Sequence, residues 1–269
     1  MVSVPPSISS HLPTNREVAR WVDPVARVGY AAKGVVYAIV GALAVRAAMA
    51  EGEARDAAGA LAWLRDSAAT DWMLTAIAIG LAAYVVWRLV QALVDPEHVG
   101  VDGKRIGVRM LRVVSAVIYG SLAVTAWRLA HGERAQGASE DRWTAELMSQ
   151  PFGPWLVGAL GAGIIAYGLY QLYRAWTADV EKHMRFDDEA TRRRIVALAR
   201  FGLAARGVVL GVVGWFFVQA ARRYDPSAAG GTDEALRALG NDLLLGIVAL
   251  GLVAYGLYQI AEARYRRIG

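Results

Sequence analysis

The side chains that could do chemistry here are cations, amides and phenols set into otherwise apolar runs. Lys33 and Arg206 occupy matching places in two such runs, and Arg88, Gln171 and Gln259 occupy another matching set. Ammonium, guanidinium and amide groups all donate hydrogen bonds to oxyanions. An inward-facing ring of these five would hold an anion or a lipid headgroup. Tyr84, Tyr167 and Tyr255 recur at one further position and would offer hydroxyls to the same ligand, or line a cavity around a central axis. A plainer reading stands beside this one. Long basic side chains can snorkel, reaching the headgroups while their stems cover apolar surface. An isolated charge at the centre of a bilayer costs at least ~2.5–3.5 kcal/mol, so its repetition in two runs argues for a use.

Most catalytic chemistry is missing. There is no Cys, which removes disulfides, thiolate metal sites and a Cys nucleophile. His11, His98, His131 and His183 all lie outside the apolar runs, so neither intramembrane haem ligation nor a zinc-binding pair on one helix is available. No Asp or Glu lies inside a run; Asp242 only opens the last one. That argues against carboxylate-coupled ion transport. The stretch GAGIIA from Gly161 matches a dinucleotide fingerprint formally, but it sits within an apolar helix with no strand before it. No catalytic residue, metal ligand or cofactor is expected, and no basic domain large enough for nucleic acid is present.

The elements that would position these residues are long apolar helices. The chain has 269 residues, 56% of them hydrophobic and 20% charged. Six runs, roughly 28–50, 72–94, 109–130, 154–176, 200–221 and 242–261, are each long enough to cross ~30 Å of hydrocarbon as a helix. The first 19 residues are polar and read as a mobile cytoplasmic arm without a secretory h-region. With six spans, one side of the membrane receives 20 of the 29 Lys and Arg and 11 of the 24 Asp and Glu. That side includes Arg27, Lys104, Arg105, Arg112, the Arg192–Arg194 run and Arg264. The positive-inside rule therefore places both termini in the cytoplasm. The basic ends themselves suit topology and anionic headgroup contact. Three connecting segments on the other side, each with a short apolar–polar pattern (60–64, 145–148 and 235–239), read as small amphipathic helices at the interface.

The runs repeat. RVGYAAKGVVYAIVG (Arg27–Gly41) aligns with RFGLAARGVVLGVVG (Arg200–Gly214), and RMLRVVSAVIY (Arg109–Tyr119) is a weaker copy with Ser115 and Ala116 in place of the basic residue and Gly. The even runs match more closely: GLAAYVVWR from Gly80, GIIAYGLYQ from Gly163 and GLVAYGLYQ from Gly251. Each unit holds two helices, so all three units point the same way, and a pseudo-threefold axis along the membrane normal follows. The units are 20–98, 99–183 and 184–269. Helices in lipid associate through close packing, which assigns Gly34, Gly80, Gly163, Gly207 and Gly251 to helix contacts.

These paired motifs resemble the bacterial membrane family catalogued as domain of unknown function 1206, whose members carry two-helix modules, usually three per protein. The resemblance implies an all-α polytopic membrane protein and brings no activity, ligand or catalytic residue. The expectation is an integral protein of a bacterial plasma membrane, a non-enzymatic bundle interacting with membrane lipids, especially anionic inner-leaflet headgroups, or with a membrane partner. Two alternatives stay open: a channel or transporter for a small or anionic solute, and, with least support, an enzyme acting on lipid or quinone.

Overall fold

The computed structural model describes residues 15–49, 53–67, 71–93, 103–133, 140–177, 181, 184–186 and 188–266. Alternation of long and short helices dominates. The long ones are α1 (Asn15–Ala48), α3 (Asp71–Leu93), α4 (Gly103–Ala130), α6 (Gly153–Thr177), α7 (Glu189–Arg223) and α9 (Asp242–Tyr265). The short ones are α2 (Ala57–Ser67), α5 (Glu140–Met148) and α8 (Thr232–Arg237), which lie where the amphipathic patterns were read. All six long helices are apolar and long enough to span a membrane. Among the described residues there is no strand; Met184 and Arg266 form only an isolated antiparallel bridge. The protein is an all-α, polytopic membrane protein built from three helix pairs.

Helix ends follow local chemistry. Asp188 caps α7, its carboxylate accepting from the Thr191 amide at 2.7 Å and the Thr191 hydroxyl at 2.6 Å. Asn241 caps α9 through the amides of Leu243 and Leu244. The first helices of the first and third pairs are much longer than their apolar runs: α1 has 34 residues and α7 has 35. At 1.5 Å per residue, α7 is about 52 Å long, far more than the hydrocarbon needs. Its polar, Arg-rich first turns continue the helix out of the apolar layer because Glu, Arg and Ala are good helix formers with or without lipid. Likewise α1 begins at Asn15, so the last five residues of the segment read as an arm are helical; residues 1–14 lie outside the described residues.

Packing follows a cycle. Within a pair, α1 lies along α3 and α7 along α9; between pairs, α3 lies along α4, α6 along α7, and α9 along α1. The second helix of each unit thus packs on the first helix of the next, and the ring closes from the third unit back to the first. This is the cyclic arrangement that parallel repeats require. One contact is missing. Among the described residues α4 and α6, the two helices of the middle unit, do not pack along each other.

The repeat sequence explains both the closed contacts and the open one. In the first unit a methyl on Gly29 would lie 2.6 Å from Tyr84 Cα, and Gly80 abuts the Ala32 methyl. In the third unit Gly202 meets Tyr255 Cα at 2.5 Å and Gly251 abuts Ala205. The middle unit has Leu111 where Gly29 and Gly202 stand, and Val114 where Ala32 and Ala205 stand. Larger side chains thus stand at the positions where the other two units dock. Gly163, expected to be a packing glycine, has nothing within 4 Å of where its methyl would be. The other four packing glycines are at close approaches. Gly34 meets the Gly256 carbonyl between α1 and α9, and Gly207 meets the Gly168 carbonyl between α6 and α7.

Candidate functional site

All six long helices contribute to one polar cluster at the centre of the ring. Lys33 on α1 donates to the Tyr84 hydroxyl on α3 at 3.1 Å. Its ammonium also lies 4.9, 5.2 and 5.4 Å from the ring centres of Tyr84, Tyr119 and Tyr255, so three π-faces surround it. Arg88, one turn beyond Tyr84, donates to the same hydroxyl at 2.8 Å and to Gln91 Oε1 at 2.9 Å. From the opposite side of the ring, Arg206 on α7 donates to Tyr255 at 3.1 Å and lies over the rings of Tyr37, Tyr167 and Tyr255. Tyr119 on α4 donates to the Tyr37 hydroxyl at 3.2 Å.

The helices position these groups through repeat geometry. Lys33 and Tyr37 are four residues apart, as are Tyr84 and Arg88, and Tyr255 and Gln259, so each pair shares a helical face. The same close approach that seats Gly29 against Tyr84 brings α1 near enough for Lys33 to reach the phenol. Edge-to-face contacts then fix the rings. Tyr37 meets Tyr255 at 4.8 Å and 80°, and Tyr84 meets Tyr119 at 4.8 Å and 75°.

Lys33 is 3% exposed, so its ammonium does not reach out of the bundle. Snorkelling, one of the two readings of this residue, is therefore corrected: stems and head are both enclosed by helices α3, α4 and α9. With the Gln259 amide oriented to suit its neighbours, its oxygen accepts from Lys33 Nζ at 3.0 Å and its nitrogen donates to Glu262 at 2.5 Å. Gln171 is likewise buried, yet its Oε1 has no hydrogen-bond partner, and neither has the buried Nε of Arg206. Lys33, Arg88, Arg206, Tyr84, Tyr255 and Gln259 thus come together, Tyr167 joins them beneath Arg206, and Gln171 is enclosed without a partner for its oxygen.

Several members were not anticipated. Tyr37 and Tyr119 are repeat equivalents, replaced by Leu210 in the third unit, and stand in the sequence only as letters of the repeated motif. Glu262 lies one residue beyond the last apolar run, yet it is 5% exposed and ion-paired to Arg266 at 2.5 Å. Gln91, its repeat equivalent in the first unit, is buried too. Continuing the repeat seven residues past Tyr84 and Tyr255 would have found both.

Charge decides what this cluster can do. Among the described residues no carboxylate forms an ion pair with Lys33, Arg88 or Arg206, and the carboxylate of Glu262 is already engaged by Arg266. Cations in a low-dielectric interior need compensation by opposite charge or dense hydrogen bonding. Phenol oxygens, π-faces and the Gln259 amide, itself bonded to Glu262, give part of it, and three cations around one engaged carboxylate suit an added anion. No group of three or more His, Cys, Asp or Glu that could hold a metal ion exists among the described residues.

The family model described as "Domain of Unknown Function (DUF1206)" matches three times, at 28–95, 112–178 and 201–266. The chain belongs to the DUF1206 family. Each match spans one helix pair of the ring. The chain is also similar to the uncharacterized protein YxxB of Bacillus subtilis (strain 168), with 33% identity over 261 residues, covering 94% of each chain. No solved structure matches. The DUF1206 match thus gives the family and its threefold repetition, while the chemistry must come from the core itself.

Proposed function

We propose that this DUF1206 protein is a non-enzymatic bundle of the bacterial plasma membrane, with both termini cytoplasmic, that holds the phosphate-type headgroup of an anionic inner-leaflet lipid. The observation that carries this reading is the convergence of Lys33, Arg88 and Arg206 on a tyrosine-lined centre with no carboxylate paired to any of them among the described residues. The basic bias of one membrane side supports inner-leaflet depth for Lys33 and Arg206, which lie about midway along α1 and α7 but close to the beginnings of their apolar runs. Guanidinium and ammonium together suit a phosphodiester, which accepts several charge-assisted hydrogen bonds at once. A conducting path for a free anion along the axis fits less well. Tyr37, Tyr84, Tyr119 and Tyr255 pack against one another across the centre, where such a path would run.

Native mass spectrometry from mild detergent tests this. Protein is exposed to phosphatidylglycerol, to phosphatidylcholine and to inorganic phosphate. Retention of phosphatidylglycerol well above phosphatidylcholine is expected, falling about tenfold in Lys33→Met/Arg206→Gln. Displacement of the lipid by millimolar inorganic phosphate would identify a free anion as the ligand instead. Equal retention of both lipids would end the proposal.

A further inference from the structure

The middle unit is open where the other two are closed, and the opening reaches the buried cluster. Ile118 on α4 is 58% exposed, whereas its repeat equivalents Val36 and Val209 are 1% and 4% exposed. On α6, Tyr170 is 50% exposed, against 1% for Trp87 and 2% for Tyr258. The two walls of the seam are thus apolar faces that the same fold buries twice elsewhere. Behind them lie Tyr119 and Tyr167, which contact Lys33 and Arg206 respectively, and the buried Gln171 with its unpartnered oxygen.

We infer that the seam between α4 and α6 is the lateral entrance and seat for a phospholipid with an anionic headgroup, which passes Leu111 and Val114 to turn into the basic core while the acyl chains lie against Ile118, toward the bilayer centre. This rests on the headgroup-binding reading above. Charge complementarity selects the occupant. A neutral apolar helix would leave the cations uncompensated, and a free anion would leave the apolar walls with no reason to differ from those of the other units. A lipid satisfies both surfaces together. The cause is written in the sequence, since Leu111 and Val114 replace the Gly and Ala that let the equivalent helices dock. The seam is a built departure from the repeat rather than an error in it.

The chain has no Cys, so a paired substitution gives clean chemistry. Val114→Cys and Gly163→Cys occupy the positions equivalent to Ala32 and Gly80, which touch in the first unit. A short bismaleimide would bridge them and shut the seam. The readout is phosphatidylglycerol retained per protein, with phosphatidylcholine as control. Linking empty protein should cut phosphatidylglycerol uptake about tenfold, and linking after loading should trap the lipid through extended washing. Undiminished uptake after complete linking would overturn the entrance. If the unlinked protein shows no preference for phosphatidylglycerol, the headgroup reading itself fails and the entrance falls with it. Leu111→Gly/Val114→Ala gives an independent arm that restores the docking pattern of the other units. It should lower lipid retention without any cross-link, and unchanged retention in a variant whose α4–α6 distance has shortened by spin-label measurement would equally refute the inference.

Discussion

Lys33 donates to Tyr84 across 51 residues of chain, and Arg88 donates to the same phenol oxygen from the other side. Two cations therefore share one neutral acceptor. That arrangement is costly for an isolated fold and useful for a fold that receives an anion. A buried charge in a membrane protein costs at least ~2.5–3.5 kcal/mol, and only part of that is recovered from phenols and rings.

Replacing Lys33 with Met should thus leave the ligand-free bundle as stable as before or more so, while weakening anionic lipid binding. Thermal unfolding in detergent, with and without phosphatidylglycerol, separates the two effects. The lipid-dependent rise in Tm should shrink in the variant. A large loss of stability without lipid would mean that the ammonium is structurally compensated already.

Glycine substitutions should divide by unit. Gly80→Ala and Gly251→Ala press a methyl into Ala32 and Ala205, and overpacking of this kind costs ~1–3 kcal/mol. Gly163→Ala meets open space, and alanine's better helix propensity should leave it neutral or stabilising by up to ~1 kcal/mol. Equal destabilisation at all three positions, measured by unfolding in mixed micelles, would contradict the open middle unit.

The contrast between these glycines shows what was legible in the sequence. Hydropathy and the repeated Gly–Tyr motif specified six long helices in three parallel pairs, because both depend on local composition. Helix rotation is different. Whether Tyr37, Tyr119, Gln91 or Glu262 faces the axis depends on how neighbouring helices dock, and apolar periodicity is weak when lipid and protein interior are equally apolar. The open seam was partly legible. Ser115 and Ala116 marked the middle unit as divergent, but the steric cause lies earlier in the same helix, at Leu111 and Val114. Their consequence needs the knowledge that Gly29 faces Tyr84.

A pH response is expected away from the spanning helices. Burial, followed by the hydrogen bond to Glu234, pushes the Asp233 carboxyl at the start of α8 up to about 7. The same hydrogen bond is the main cause holding Glu234 below its ordinary range, and Arg237 lies 3.3 Å from Asp233. The pair therefore keeps one proton, on Asp233. An unfolded Asp titrates near pH ~3.9, so the folded segment binds more protons between about pH 4 and 7. Stability from this group is full below that window and falls as pH rises through it. Amide exchange in α8, corrected for intrinsic rate, should be slower at about pH 5 than at about pH 8, and Asp233→Asn should remove the difference. Unchanged protection across this range would refute the shared proton.

Orientation can be read by labelling single cysteines placed in the cysteine-free chain. Arg237 on α8 and Arg185 before α7 are both exposed and lie toward opposite ends of the bundle by the six-span topology. An impermeant maleimide added to intact cells should label Arg237→Cys and spare Arg185→Cys until the membrane is broken. The reverse pattern would put the basic core in the outer leaflet and remove the inner-leaflet lipid from the account.

The most direct measurement is the contact between Lys33 and lipid phosphorus. The chain contains only three lysines, so protein labelled with 15N at lysine Nζ gives sparse solid-state NMR spectra in phosphatidylglycerol bilayers. The account predicts a nitrogen signal strongly dephased by 31P that disappears in Lys33→Met and is absent in the seam-linked, empty protein. A Lys33 signal that keeps full intensity under 31P dephasing in the wild-type protein would contradict it.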